Sequence, residues 1–140
     1  MKPEETIDFH IRWAWLKIAK MYNRMGAQVG ISQSMGLVLL SIDPKLGTPS
    51  TSLGPMMGME PTSLTRTLKS MEEKGWIARK PDLNDGRVSR IYLTEQGEKL
   101  REVSKETVID FNERLLQSID PQKLQHFREV IEMIDQQTMN

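Results

Sequence analysis

Between Gly75 and Thr94 the hydrophobic period of this chain changes from helical to alternating, and that change constrains the fold more than any other feature. Trp76-Ile77-Ala78-Arg79-Lys80 reads as one strand, and Val88-Ser89-Arg90-Ile91-Tyr92-Leu93 alternates as a return strand. The intervening Pro81-Asp82-Leu83-Asn84-Asp85-Gly86-Arg87 is polar and holds three turn-forming residues in a row, Asn84-Asp85-Gly86. Together they predict a β-hairpin with a basic tip.

Helices surround it. Ile7, Ile11, Trp15, Ile18, Tyr22, Met25 and Val29 recur every three or four residues and predict a helix from about Glu5 to Val29. Phe9, Trp13 and Leu16 sit on the opposite side, so its first half is apolar on two faces and is expected to join two bodies. Gly30 can end this helix and Ser32 can cap the next, which carries Met35, Val38, Leu39 and Ile42 and closes at Asp43-Pro44. Leu46 to Ser50 reads as a connector, followed by a weak helix over 50–57. Gly54 and Pro55 fall inside that weak helix, so it is expected to be short, late-starting or bent. Gly58-Met59-Glu60 makes a turn, Pro61 opens a helix ending near Lys74, and Leu64, Leu68 and Met71 form its inward face. Thr94 caps a long helix bearing Leu100, Val103, Phe111, Leu115 and Leu116. Asp120-Pro121 starts a last helix whose Leu124, Phe127, Ile131 and Ile134 make a stripe that requires a partner, expected to be supplied in part by the two-faced first helix and for the rest by a second subunit. The fold class is mainly α with a small β-hairpin wing.

The bulk properties narrow the function. The 140 residues suit a single domain over 1–140. No apolar run approaches a membrane span, and the start Met1-Lys2-Pro3-Glu4-Glu5 lacks a secretory pattern, so a cytoplasmic protein with no membrane partner is expected. With no cysteine there is no disulfide or thiolate chemistry, and the two histidines, His10 and His126, are too far apart in sequence to suggest a metal site. No metal and no cofactor are expected. Nor is an enzyme: no nucleophile and base pair, paired carboxylates or phosphate-binding glycine loop occurs at usable spacing. Net charge is zero but polarised. Residues 61–101 carry nine basic and six acidic groups, whereas 102–140 carry four and eight. It is the local field that decides where a phosphate backbone docks.

Helix, helix, turn, helix and two-stranded hairpin, in that order, describe a winged helix-turn-helix, which sets one helix in the DNA major groove. With Leu64, Leu68 and Met71 inward, Thr62, Arg66 and Lys69 project outward with Ser63 and Ser70 alongside. Hydroxyls can meet base edges or phosphates, Arg66 can grip guanine through two bonds, and Lys69 is a point charge for phosphate. Arg79, Lys80, Arg87 and Arg90 crowd the hairpin, and Arg87 stands where it can enter a minor groove. Asp85 is the exception to this basic surface. Its expected task is to hold Arg87 or Arg90 extended through a bidentate pair.

Glu60-Pro61-Thr62-Ser63-Leu64-Thr65-Arg66, Met71-Glu72-Glu73-Lys74-Gly75-Trp76-Ile77, Asp82-Leu83-Asn84-Asp85-Gly86-Arg87 and Leu93-Thr94-Glu95-Gln96-Gly97 resemble the MarR family of multiple-antibiotic-resistance regulators. The resemblance implies a homodimeric transcriptional repressor on a palindromic double-stranded DNA operator, with a reading helix at 61–74 that includes Thr65 and a wing arginine at 87. It also implies dimerisation helices at 1–30 and 100–140, around a winged-helix lobe at 32–98. A pocket for a small aromatic effector is implied as well, lined here by Phe9, Arg12, Trp13, Leu16, Met35, Leu39 and Phe111. The chain departs from the family at Gly54-Pro55, where Ala and a polar residue are usual. The alternative from another class is a winged-helix module that binds a protein partner through the same hairpin.

Overall fold

Caps and glycines set where the helices of this chain begin and end. The structure, a computed structural model, describes residues 1–139. Helix α1 spans Ile7–Gly26 and starts on Thr6, whose Oγ1 accepts the Phe9 N–H at 3.2 Å. Single 3-10 turns at Pro3–Glu5 and Ala27–Val29 flank it, so the expected Glu5 to Val29 helix is shorter and tightens at both ends. Gly30 follows at φ 74°, a left-handed conformation natural to glycine. Helix α2, Gln33–Ser41, begins at Ser32, whose hydroxyl accepts the Met35 N–H.

The expected connector contains a short strand, β1, Thr48–Pro49. Helix α3, Ser50–Met57, is short as Pro55 requires, but it starts at Ser50 rather than late. Helix α4, Pro61–Glu73, ends in two reverse bonds: Gly75 N–H to the Glu72 carbonyl and Trp76 N–H to the Met71 carbonyl, both 3.0 Å. Gly75 at φ 76° makes that geometry possible. Strands β2, Ile77–Pro81, and β3, Ser89–Leu93, form the hairpin, and β1 pairs on the other side of β3 to give an antiparallel sheet of order β1-β3-β2. Helix α5, Glu95–Ser118, follows, and α6, Pro121–Thr138, is capped by Asp120, whose carboxylate accepts the Gln122 N–H at 2.8 Å.

Two compact units result, Met1–Ser104 and Lys105–Asn140. In the first, Ile31, Val38, Leu39, Ile42, Leu53, Leu64, Leu68, Met71, Trp76, Ile77 and Ile91 form one buried cluster, drawn from α2, α3, α4 and the sheet. Thr94 fastens the start of α5 to this body. Its hydroxyl donates to the Gly75 carbonyl at 2.6 Å and accepts from the Gly97 N–H at 3.1 Å, while its own N–H donates to the Trp76 carbonyl at 3.0 Å. In the second unit, Phe127, Val130 and Met133 of α6 remain exposed. No helix among the described residues is long and apolar enough to cross a membrane.

Candidate nucleic-acid interface

Helix α4 divides into two sides. Leu64, Leu68 and Met71 are buried in the core, as the spacing predicted. Thr62, Ser63, Thr65, Arg66 and Lys69 are exposed, and Ser70 is half-buried. Neither Arg66 nor Lys69 has an ion-pair partner among the described residues, so both charges are available to an external ligand. Thr65 Oγ1 donates back to the Pro61 carbonyl at 2.9 Å. Its outward-facing chemistry is therefore a lone pair and a methyl group.

The hairpin places its basic residues unequally. In the antiparallel register Lys80 opposes Arg90 and Ala78 opposes Tyr92, so these four share one face. The Lys80 ammonium lies over the Tyr92 ring, 5.3 Å from its centroid. Arg79 pairs with Glu72 of α4 at 2.9 Å. At the tip, Asp85 Oδ1 accepts Arg87 Nε at 3.1 Å and Oδ2 accepts Arg87 Nη2 at 3.2 Å. Asp85 Oδ1 also takes the Arg87 N–H at 3.0 Å. The Arg87 side chain is still 91% exposed. A fork held by a carboxylate yet open to water keeps spare donors for another acceptor. Its hydrogen bonds to Arg87, side chain first and backbone second, hold the Asp85 carboxyl below the usual carboxylate range.

Arg90 is arranged differently from the sequence expectation. Its Nε donates to the Leu46 carbonyl at 2.8 Å, Nη1 to Asp82 Oδ1 at 2.8 Å and Nη2 to the Gly47 carbonyl at 3.4 Å. The side chain is only 21% exposed. This geometry commits the Arg90 fork to internal acceptors, with Asp82 as its carboxylate in place of Asp85. Asp82, unremarked in the sequence, is its partner. The Arg90 hydrogen bond is the leading cause of its lowered pKa. The spacing Asp82-x-x-Asp85-x-Arg87-x-x-Arg90 held the signal, but only the hairpin register shows which acid meets which arginine.

The residues expected around an effector sit on separate elements. Phe9 is half-buried and its ring lies 6.2 Å from that of Trp13, which is 49% exposed; Arg12 and Leu16 are exposed on the same helix. Met35 packs against the core. Leu39 is a correction: it is 0% exposed within the core cluster, where its side chain is enclosed by protein and offers no surface to a ligand. Phe111, in the second unit, is half-buried. No group of three or more His, Cys, Asp or Glu positioned for a metal occurs among the described residues.

The model of the MarR family matches residues 31–89, the span from just before α2 to the start of β3. The winged-helix segment of the chain is thus similar to that of the MarR family of transcriptional regulators. Members of the family are regulators and not enzymes. Over 116 residues the chain is 28% identical to the HTH-type transcriptional regulator SarZ of Staphylococcus saprophyticus, covering 79% of this chain and 80% of that protein. Its fold matches S. aureus MepR, solved as a DNA complex, with a TM-score of 0.83 at 19% identity, covering 94% of this chain and 98% of that one. It also matches CouR of Rhodococcus jostii RHA1, solved with p-coumaroyl-CoA, with a TM-score of 0.80 at 22% identity over 96% and 94% of the two chains. The chain thus shares the fold of both.

Proposed function

We propose that this chain is a MarR-family regulator that binds a palindromic double-stranded DNA operator as a cytoplasmic homodimer and represses transcription. The observation that carries the reading is the outer side of α4. Thr62, Ser63, Arg66 and Lys69 are exposed there without an acidic neighbour until Glu72, directly behind a fully packed inner side. Arg87, held out by Asp85, adds a second basic element on the wing. Two copies would present α4 to successive major grooves about 34 to 36 Å apart, with Arg66 suited to guanine and Arg87 to a flanking minor groove. The fold shared with MepR, which was solved with DNA, supports this docking.

The dimer has its own support. Ile7, Ile11 and Trp15 of α1 are 56%, 43% and 51% exposed, and Phe127 and Met133 of α6 are 58% and 62% exposed. Apolar stripes of this extent are characteristic of surfaces that a partner covers. An aromatic effector would meet the half-buried Phe9 and the exposed Arg12, Trp13 and Leu16 of α1, a set that suits a planar, anionic ligand; CouR, solved with p-coumaroyl-CoA, supports that chemistry. Such a ligand regulates only if it binds the DNA-competent and incompetent arrangements unequally.

Selection from a randomised duplex pool, followed by footprinting and by sedimentation of the complex, tests the reading. The expected result is an inverted repeat bound by two chains, with an affinity that falls steeply as salt rises. A salt-independent interaction, or a single chain on an asymmetric site, would overturn it.

A further inference from the structure

The hydrogen bonds of the wing form one continuous path from its base to its tip. Asp43 Oδ1 accepts the N–H groups of Lys45 and Leu46 at 2.8 and 2.9 Å, and the Asp43 N–H donates to the buried Thr48 hydroxyl at 2.9 Å. The turn before β1 is thereby fixed with its Leu46 and Gly47 carbonyls facing Arg90. Gly47 has φ 69°, and a Cβ there would stand 2.7 Å from the Ile91 carbonyl oxygen and the Tyr92 ring. The approach of β3 to this turn therefore needs glycine. From Arg90 the path passes to Asp82 Oδ1; Asp82 Oδ2 accepts the N–H groups of Asn84 and Asp85 at 3.1 and 3.2 Å. Asp85 in turn holds Arg87.

We propose that Arg90 is a positioning residue for DNA binding, whose guanidinium fork, through Asp82 and Asp85, transmits the fixed backbone of the Leu46–Gly47 turn to the pose of Arg87. The inference rests on the DNA-binding reading above and adds to it a role for a residue that touches no DNA. Every junction of the path except the Asp43 N–H to Thr48 bond involves an ionised group. Two backbone bonds also tie the loop, Asp82 N–H to the Val88 carbonyl and Val88 N–H to the Asp85 carbonyl, at 2.8 and 3.0 Å, and both share the aspartates of the path. Losing Arg90 leaves the Asp82 carboxylate without its cation and unties the wing loop from the Leu46–Gly47 turn.

The test uses the full chain and the duplex that the wild type selects from a randomised pool. Arg87→Ala sets the reference loss, expected to be about tenfold or more in affinity. Arg90→Lys separates the roles. A phosphate contact survives replacement by another cation, whereas a three-acceptor fork does not, so Arg90→Lys is expected to lose as much as Arg87→Ala. In an Arg87→Ala background it is expected to lose nothing further. Asp82→Asn, which keeps the side chain's shape, is expected to behave alike, and it covers the case in which Arg90→Lys fails to fold. Thermal unfolding of the free proteins reports any structural damage, which would add to the Arg87→Ala loss instead of vanishing in that background. Full affinity in Arg90→Lys and Asp82→Asn, or losses that add to that of Arg87→Ala, would overturn the proposal. Failure of the wild type to select any duplex would instead overturn the DNA-binding reading.

Discussion

Asp85 and Arg87 face each other at the wing tip through paired contacts of 3.1 and 3.2 Å, with the arginine side chain 91% exposed and the aspartate side chain 40% exposed. Two opposite readings of this acid can be weighed. As a bare charge it repels phosphate, and its removal should tighten binding. As a brace it reduces the rotamer freedom that an extended arginine would otherwise lose on entering a groove. The Arg87 N–H bond to the same carboxylate makes the brace local and rigid. Asp85→Ala is therefore expected to weaken DNA binding several-fold, up to about tenfold, even though it removes a negative charge. Titration of a selected duplex checks this, and tighter binding at every salt concentration would favour the bare-charge reading.

The wing acids also set an acid limit. Asp82 and Asp85 have carboxyl pKa values held below normal, first by Arg90 and Arg87 respectively, and that of Asp43 is lowered first by the Leu46 and then the Lys45 backbone N–H. A carboxylate whose folded pKa lies below its unfolded value of about 3.9 contributes fully above that value. The contribution is lost as pH falls through the folded pKa. The thermal midpoint is thus expected to be insensitive to these groups from neutral pH to about 5 and to fall in more acidic solution. Asp82→Asn should lower the neutral midpoint and flatten the acid limb, as measured by circular dichroism. An unchanged acid limb would assign the loss to other groups.

Gly97 is required by packing rather than by its backbone angle. A Cβ there would overlap the Trp76 carbonyl oxygen, which already accepts the Thr94 N–H, and would press on Leu93. Neither carbonyl nor strand can yield without disturbing the junction of α4, β2 and α5. Gly97→Ala is expected to destabilise the protein by about 1–3 kcal/mol, as overpacking does, despite the higher helix propensity of alanine. Urea unfolding gives the value, and a gain in stability would contradict the packing argument.

Gly54 gives the opposite expectation. A Cβ at this position would lie 3.5 Å from Leu64 Cδ2 and 3.4 Å from the Met59 carbonyl oxygen, which is ordinary contact, and Gly54 has no positive φ. Gly54→Ala is expected to stabilise the chain by about 0.5–1 kcal/mol through helix propensity. The same unfolding experiment measures it. A loss would mean that α3 and α4 must move closer than they stand here.

Legibility from sequence followed the range of each interaction. The stripe Leu64, Leu68, Met71 and the caps at Ser32 and Asp120 depend on neighbours within a few residues, and all were readable. Strand β1 was not, because Thr48–Pro49 is too short to alternate and its proline argues against a strand; it forms at the sheet edge by pairing with Ile91 and Arg90. The sequence groups Arg90 with the basic residues of the hairpin and leaves open whether Asp85 holds it or Arg87. The acceptors of Arg90 at Leu46 and Gly47 lie more than forty positions away in sequence, a separation that no local pattern encodes. Leu39 was placed beside a ligand by family likeness, although its spacing with Val38 and Ile42 already suited a core residue.

Thr65 offers a test of how α4 reads bases. Its hydroxyl proton is committed to the Pro61 carbonyl at 2.9 Å, so toward DNA it can accept but not donate. An acceptor is repelled by phosphate and suits the amino groups of adenine or cytosine in the major groove, while its methyl suits thymine. Thr62, equally exposed, has no such internal bond among the described residues and retains its proton for a phosphate. Thr65→Val keeps the shape and removes the acceptor, and is expected to cost about 1 kcal/mol at one base pair of each half-site with little change elsewhere. Thr62→Val should weaken all duplexes alike. Repeating the duplex selection with both variants separates these outcomes: a uniform loss in Thr65→Val would place that hydroxyl on the backbone and leave sequence reading to Arg66.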